Sequence, residues 1–439
     1  ARAHRPNQHV LRGGPDHGEA HGERSRPGTD AIQHGKIDEA RRAGANDVAW
    51  RQGRVFSLAY YAGPEVELVA EGAYAMYSSA NGLNADAFPS LKKFQSEVVA
   101  TVTNSVAGDA EAAGFMTSGG TESILMAVKA SRERGRRERG ITAPNAILPA
   151  SAHAAFEKAC YYFGVEARRV PVRSDWRADV DAMSGACDEN TVLLVGSAPQ
   201  YPQGVIDPIP EIAAVAARLD VNCHVDACMG GVTLAFLERL GESVAPWNLA
   251  VPGVTSISVD LHKYGYTAKG ASVIVHRNRL LRSYQTFVTD NWLGGLYGSS
   301  GVLGTKSGGP MAAAWAVTKF LGDEGYTDLT RRARETCLRL ADGIDRIDGL
   351  VVRARPDSTL LSFGADEREH PVDVYAVADV LATRGWYLDR QGPPPSLHCT
   401  VNASHAATVD EFLADLGEAV ADVTSNHRRG GAGAYGTVD

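Results

Sequence analysis

The sequence predicts an α/β fold whose sheet is mostly parallel. From Asn145 onwards, short apolar runs alternate with longer amphipathic stretches, which is typical of strands connected by helices. Connections of this kind cross over in a right-handed sense, and they place ligand sites beyond the carboxyl ends of the strands. The 439 residues are 44% hydrophobic and 22% charged, which is enough for one large domain and a smaller one.

The predicted elements follow one another in a regular order, and each is assigned from its apolar spacing. Two helices come first, one from about Phe88 and one formed by "ILMAVKASRE". The next strands are "NAILPA", "TVLLVGSA", "VNCHVDA", "VTSISVDL" and "ASVIVHR", and the helices between them are "HAAFEKACYYFG" and "PEIAAVAARLD". After Asp323 a long helix, "LTRRARETCLRLADGIDRI", begins a smaller carboxyl-terminal domain that also contains strands and another helix.

These patterns predict four parts along the chain. Residues 1–87 form an amino-terminal segment, of which about the first 30 residues are expected to be mobile because their Gly, Pro, Arg and His show no periodicity. Residues 88–322 form the large domain, and residues 323–425 form the small α/β domain. The glycine-rich residues 426–439 are expected to form a flexible tail.

Composition and charge exclude several classes of protein. The net charge of −8 argues against a nucleic-acid partner, and no run approaches the roughly 20 apolar residues that a membrane helix needs. The six cysteines show no CxxC pair, which predicts reduced thiols in a cytoplasmic protein. A strand through "CHVDAC" would place His224, Asp226 and Cys228 on one face, but the paired-cysteine signature of a zinc site is absent and we expect no metal.

A glycine turn at Thr117 to Ser123, "TSGGTES", precedes an apolar-periodic helix. Glycines followed by hydroxyl residues at a helix start expose backbone N–H groups at the positive end of the helix dipole, and together these bind a phosphate dianion. The Walker and GxGxxG patterns are absent, so the alternative that this turn is a helix cap stays open.

Two side chains at strand ends add to this turn. Asp226 ends the strand "NCHVDA", where a buried carboxylate needs a cationic partner. Lys263 follows the strand at 254–259, and desolvation there is expected to lower the pKa of its amine toward the nucleophilic range. Pyridoxal 5′-phosphate requires a lysine for its aldehyde, an acid for its pyridine nitrogen and an anion site for its phosphate. The sequence therefore predicts a pyridoxal-phosphate enzyme.

Five segments carry a resemblance to a known family. "TSGGTES", "HAAFEKA", "PQYPQGVIDPIPE", "HVDACMGG" and "SVDLHKYGYTAKGAS" closely resemble the sphingosine phosphate lyase branch of the pyridoxal-phosphate-dependent decarboxylase superfamily. The likeness extends from about Gly53 to Thr400. It implies pyridoxal-phosphate fold type I, which is aspartate-aminotransferase-like, a small-molecule amine substrate and a homodimer with shared active sites.

The resemblance also implies which residues bind the cofactor. Lys263 would be the Schiff-base lysine, Asp226 the partner of the pyridine nitrogen, and His153 the imidazole stacked on the ring. The residues implied to bind the phosphate are Gly120, Thr121 and His262, joined across the dimer interface by Gly304 and Thr305.

On the substrate side, the residues that match the family in type are Tyr60, Asn81, Tyr201 and Lys269. Asn84 stands where the family has a histidine, and Lys306 replaces the arginine of the family's "GSRPG" loop. An asparagine forms hydrogen bonds but relays no proton, and a lysine lacks the planar fork of arginine. These departures concern the substrate rather than the cofactor.

The implied reaction is retro-aldol cleavage of a phosphorylated β-hydroxy amine, similar to sphingosine phosphate, into an aldehyde and phosphoethanolamine. The implied catalytic residues are Lys263, Asp226, His153 and Tyr201, and either Tyr201 or a substrate phosphate would remove the hydroxyl proton. The alternatives are an amino-acid decarboxylase, an aldolase-type enzyme for a β-hydroxy amino acid, and a non-enzymatic relative, which would be expected to have lost the lysine or the aspartate.

Overall fold

The computed structural model describes residues 36–40, 42–84, 86–366, 368 and 372–433. Residues 36–40 and 42–43 are helical and belong to a first compact unit that ends at Asp47. A second unit begins at Val48 and holds the elements named below. The segment that we expect to be mobile lies outside the described residues, and so does the predicted tail from residue 434 onwards.

A seven-stranded sheet forms the centre of the second unit. Its strands are β1 (Ala113–Thr117), β2 (Asn145–Pro149), β3 (Glu166–Val170), β4 (Thr191–Ser197), β5 (Asn222–Asp226), β6 (Ser256–Asp260) and β7 (Ser272–His276). They lie in the order β1-β7-β6-β5-β4-β2-β3, and β7 runs antiparallel to its two neighbours, β1 and β6. The other pairings are parallel, which confirms the predicted mostly parallel sheet.

Helices cover both faces of this sheet. The helices up to the hairpin are α1 (Pro64–Tyr77), which packs on the long helix at 309–344, and α2 (Pro89–Ser105), α3 (Gly120–Arg139), α4 (Ala155–Phe163), α5 (Val180–Gly185), α6 (Ile209–Arg218), α7 (Gly230–Arg239) and α8 (Arg279–Ser283). Successive residues of β2 belong to different apolar clusters: Ile147 packs with Ile212 of α6, whereas Leu148 packs with Phe156 of α4. Because neighbouring strand residues point to opposite faces, each cluster marks one covered face.

A short hairpin and a small antiparallel sheet complete the unit. The hairpin pairs β8 (Phe287–Thr289) with β9 (Tyr297–Ser299). The small sheet contains β10 (Leu350–Val352), β11 (Leu360–Ala365), β12 (Asp389–Gln391) and β13 (Ser396–Thr400), in the order β10-β11-β13-β12. Two helices, α10 (Val374–Thr383) and α11 (Val409–Asn426), pack on it around a core that includes Phe363 and Phe412.

The long helix α9 (Gly309–Ile344) begins earlier than the sequence predicts. Its first part follows Pro310, which is compatible with a helix start, and ends at Gly322, whose φ of 53° and ψ of −167° are not helical. The predicted helix after Asp323 corresponds to the second part. Glycine lowers helix propensity, so the glycines around the first part obscured it. In the part of the chain that the structure describes, no helix has the length and apolar content to cross a membrane.

The predicted strands and helices are therefore present, and two strands of the large sheet, β1 and β3, were not predicted. Of these, β3 reads "EARRV" and lies at the sheet edge with Glu166 and Arg169 exposed, so it lacks the apolar run of a buried strand. The predicted domain boundaries after residues 87, 322 and 425 stay predictions.

Candidate active site

A cavity of about 370 Å³ opens at the carboxyl ends of the parallel strands. Its lining includes the predicted residues Gly120, Thr121, His153, Tyr201, Asp226, His262 and Lys263. They come from the start of α3, the segment before α4, the loop after β4 and the segments that follow or end β5 and β6. The structure thus brings seven predicted site residues together at the edge where parallel sheets place their ligands.

The glycine turn between β1 and α3 leaves a space that a side chain would fill. Gly119 has a φ of 156°, and a Cβ on Gly120 would lie 2.7 Å from Asp260 Oδ2. The Ser118 backbone N–H and hydroxyl both donate to the Glu122 carboxylate at 2.6 Å, which fixes the turn. The first backbone N–H groups of α3 have no partner within the helix and lie at the cavity wall, where an anion can accept from them.

Lys263 forms an ion pair that was not predicted from the sequence. Its Nζ lies 3.0 Å from Oδ2 of Asp260, the last residue of β6. Burial by itself lowers the pKa of the Lys263 amine, but the Asp260 carboxylate acts in the opposite direction and the pKa is raised. The expectation that desolvation lowers this pKa was therefore wrong. The signal was available, because Ser256, Ser258 and Asp260 alternate along β6 and so continue one polar face.

Asp226 ends β5 on the same side of the sheet. Its Oδ1 accepts the backbone N–H of Cys228 at 3.0 Å, and the Ser258 hydroxyl lies 3.5 Å from it. His224, two residues earlier, uses both ring nitrogens for contacts with the hydroxyls of Ser256 and Ser258, at 2.8 and 3.2 Å. Within the described ranges, no group of three His, Cys, Asp or Glu side chains is arranged to hold a metal ion.

Two histidines of the cavity wall have lowered pKa values. Burial is the largest cause for both His153 and His262. The Nδ1 of His153 accepts the backbone N–H of Ala155 at 3.0 Å, and the Nδ1 of His262 accepts that of Ala271 at 3.3 Å. These contacts fix each ring as a neutral imidazole with Nδ1 as acceptor.

Tyr201 connects the cavity to the small sheet. Its hydroxyl donates to Asp389 Oδ2 at 2.7 Å, and its ring lies against His398 with the centroids 4.0 Å apart. Asp389 of β12 and His398 of β13 are register partners. No local sequence pattern connects Tyr201 with Asp389, since the contact depends on how two distant segments pack.

Tyr60 and Lys269 lie together beside this cavity. The Tyr60 hydroxyl is 3.7 Å from Sδ of Met229, which lines the cavity. The Lys269 Nζ is 4.8 Å from the centroid of the Tyr60 ring and donates to the backbone carbonyl of His262 at 3.1 Å. Burial, followed by the charge of Lys263, lowers the pKa of Lys269 to about 8.

The four remaining predicted residues lie elsewhere on this chain. Asn81 pairs with Ser307 through an isolated bridge, and Asn84 is exposed. Gly304 and the exposed Thr305 come shortly before that bridge. The described cavity wall of a single chain does not include Asn81, Asn84, Gly304 or Thr305.

Known sequences that resemble this chain belong to pyridoxal-dependent enzymes. The pattern described as "Pyridoxal-dependent decarboxylase conserved domain" matches residues 50–365. A sphingosine-1-phosphate lyase of Oryza sativa subsp. japonica is 41% identical over 399 residues, which cover 89% of this chain and 73% of that protein. Sphingosine-1-phosphate lyase 1 of Rattus norvegicus is 37% identical over 393 residues, which cover 89% of this chain and 68% of that one.

Solved structures agree with the sequence comparison. The sphingosine-1-phosphate lyase of Burkholderia pseudomallei matches with a TM-score of 0.84 at 37% identity, and the match covers 93% of this chain and 94% of that one. The glutamate decarboxylase of Lactobacillus brevis matches with a TM-score of 0.76 at 21% identity, covering 94% and 96% of the two chains. The second likeness shows the fold alone, and together they confirm the predicted fold type.

Proposed function

Because this chain belongs to the pyridoxal-dependent decarboxylase family, in its sphingosine-1-phosphate lyase branch, we propose that it cleaves a phosphorylated long-chain β-hydroxy amine into a fatty aldehyde and phosphoethanolamine. The observation that carries this proposal is the cavity that unites Lys263, Asp226 and the start of α3. These groups supply an amine, a carboxylate and an anion site, which is the set that pyridoxal phosphate needs. The residues present therefore fit this cofactor.

Each cofactor contact is assigned to a group of the cavity wall. Lys263 would hold the cofactor aldehyde, Asp226 would keep a proton on the pyridine nitrogen, and His153 would lie against the ring. Gly120 and Thr121 would bind the phosphate through the start of α3, together with His262. When bound, the cofactor takes up the electron pair of the bond that breaks at the amine-bearing carbon.

The chain's own acid and base groups would move the protons. Tyr201 is our candidate for the base that takes the proton of the substrate's hydroxyl, because its side chain lines the cavity and its hydroxyl is held in place. Lys263 holds a proton in its ion pair with Asp260. As a free amine in this ion pair, Lys263 would donate a proton to the amine-bearing carbon.

Lys269 is our candidate for recognition of the substrate's phosphate. It is a cation next to the Tyr60 ring at the edge of the cavity, and its positive charge would attract a phosphate oxygen. Asn81 and Asn84 would complete the substrate pocket from another subunit. Asn84 offers hydrogen bonds where the family's histidine could also carry a proton.

A homodimer is part of this proposal. Seven apolar side chains are exposed in and near the hairpin of β8 and β9: Phe287, Val288, Trp292, Leu293, Leu296, Val302 and Leu303. Many exposed apolar side chains along one segment are typical of a protein–protein interface. Gly304 and Thr305 follow it directly, so that a second copy packed here would carry its own Thr305 toward the neighbouring phosphate site.

A cytoplasmic location is also proposed. All six cysteines are free thiols, and all but Cys187 are buried. Free thiols are usual in a reducing compartment. Fractionation of cells that produce the protein tests this, and recovery with the membrane or secreted fraction would contradict it.

A product assay tests the reaction. The purified protein, loaded with pyridoxal phosphate, is given sphingosine-1-phosphate and, in a separate reaction, a mixture of amino acids. We expect a fatty aldehyde and phosphoethanolamine by mass spectrometry, and the Lys263→Ala variant serves as the control. Carbon dioxide and an amine from the amino-acid mixture, with no aldehyde, would instead establish a decarboxylase.

A further inference from the structure

Asp389 contacts the candidate base and lies outside the described lining of the cavity. The hydroxyls of Tyr201 and Ser57 both donate to its Oδ2, the first at 2.7 Å. Asp389 is 8% exposed, so its carboxylate interacts with these hydroxyls in place of bulk water. We propose that Asp389 is a positioning residue that accepts the Tyr201 proton while Tyr201 takes the proton of the substrate's hydroxyl. This inference rests on the proposed function.

The Tyr201 hydroxyl donates its hydrogen bond to Asp389. A phenol has one hydrogen, and that of Tyr201 is directed at the Asp389 carboxylate. A substrate that reaches this hydroxyl from the cavity therefore meets lone pairs rather than a hydrogen. His398 packs against the ring, with the centroids 4.0 Å apart, and so restricts its orientation. Tyr201 is thus oriented as a proton acceptor.

The side chains next to Asp389 do not compete for its carboxylate with a positive charge of their own. Burial lowers the pKa of His398, its partner on β13, to about 4, and burial also raises the pKa of Tyr387. Both side chains are therefore neutral near pH 7, and Ser57 carries no charge. Arg390, the next residue on β12, is paired with Asp379.

The two proton transfers leave no charge on Tyr201. The O–H bond of the substrate's hydroxyl breaks and its proton moves to Tyr201 Oη, while the Tyr201 O–H bond breaks and its proton moves to Asp389 Oδ2. The electron pair left on the substrate oxygen forms the second bond of the aldehyde carbonyl, and the pair of the carbon–carbon bond leaves on the amine-bearing carbon. Tyr201 is neutral before and after the step, and Asp389 ends as a carboxylic acid.

The isosteric variant Asp389→Asn tests this step in the cofactor-loaded enzyme. An amide keeps an oxygen acceptor but does not take up a proton at neutral pH, so kcat should fall about 100-fold or more while KM changes less than about threefold. The affinity for pyridoxal phosphate, measured by absorbance titration of the cofactor-free protein, should stay within about threefold. The matched control Ser57→Ala removes the Ser57 hydroxyl, which donates to the same oxygen, and should retain kcat within about threefold.

A second readout separates chemistry from structure. Deuterium exchange at the amine-bearing carbon of phosphoethanolamine involves no hydroxyl proton, so Asp389→Asn should keep the wild-type exchange rate. Wild-type kcat in this variant, or equal losses of exchange and cleavage, would overturn the inference. Asp389→Glu keeps a proton acceptor and should recover part of kcat. The double variant Tyr201→Phe/Asp389→Asn should have the same kcat as Tyr201→Phe alone. If the wild-type enzyme exchanges but cleaves no phosphorylated long-chain base, the proposed function fails as well.

Discussion

The Lys263 amine lies 3.0 Å from the Asp260 carboxylate, which is itself in close contact with the glycine turn of α3. A Cβ on Gly120 would come within 2.7 Å of the same carboxylate oxygen that pairs with Lys263. Asp260 therefore links the group assigned to the cofactor aldehyde with the turn assigned to the cofactor phosphate.

Replacing Lys263 by alanine should abolish the visible absorbance of the bound cofactor and lower kcat by at least about 1000-fold, because the covalent attachment is lost. Absorbance spectra and the aldehyde assay measure both effects. The matched variant Lys269→Ala should keep the visible band and lose kcat/KM for the phosphorylated substrate. A normal band with normal turnover in Lys263→Ala would exclude Lys263 as the attachment residue.

Replacing Gly120 by alanine should destabilise the protein and weaken cofactor binding. The new Cβ would overlap with the Asp260 carboxylate, an overpacking that typically costs about 1–3 kcal/mol in the free energy of unfolding. Urea unfolding and cofactor titration report the two effects. Gly185→Ala is the control, because a Cβ there meets no atom within 4 Å. Equal behaviour of the two variants would contradict the close contact.

Substrate recognition by Lys269 should weaken at alkaline pH. Its pKa is lowered to about 8, mainly by burial, so the side chain is charged below that pH and neutral above it. The value of kcat/KM for a phosphorylated substrate should therefore fall as the pH rises through about 8. Lys269→Arg should move this decline to higher pH, because arginine keeps its charge. An unchanged decline in that variant would assign it to another group.

Thr305 should act on the cofactor of the neighbouring subunit. Thr305→Val removes the hydroxyl and should weaken cofactor binding about tenfold, whereas Thr305→Ser should bind normally. Mixed dimers that combine Lys263→Ala and Thr305→Val subunits should regain activity at one site, since that site receives both intact residues. Absence of this recovery in mixed dimers verified by mass spectrometry would show that the sites are not shared.

Acid should destabilise the folded protein through its buried histidines. Burial is the largest cause that lowers the pKa of four side chains to about 4: His224, His276, His398 and His405. Their unfolded pKa is about 6.5, so the unfolded state binds more protons between these limits, and the free energy of unfolding falls as the pH drops through them. Each histidine contributes up to about 1.4 kcal/mol per pH unit. Urea unfolding at several pH values checks this, and a flat profile from about pH 6.5 to 4 would contradict it.

The sequence predicted what local patterns encode. Apolar runs identified β2 and β4 to β7, and the rule for parallel sheets placed Asp226 and Lys263 at one edge. The contact between Tyr201 and Asp389 could not be predicted, because it joins residues separated by 188 positions through tertiary packing alone. The pKa of Lys263 was mispredicted for a different reason: the alternation of Ser256, Ser258 and Asp260 indicated a nearby acidic group, but the 3.0 Å distance between the Asp260 carboxylate and the lysine amine is visible in the structure alone.

The pairing of β1 with β7 has a consequence for how the protein is made. Thr117, which leads into the glycine turn, has Ser272 as its register partner, and the hydroxyl of Ser123 contacts that of Ser272 across 149 positions. During synthesis on the ribosome, β1 therefore emerges long before β7, and its backbone stays unpaired until β7 is made. A nascent chain that stops before Ser272 lacks the strand that holds the proposed phosphate site, so we expect the cofactor to stabilise the fold only late in synthesis.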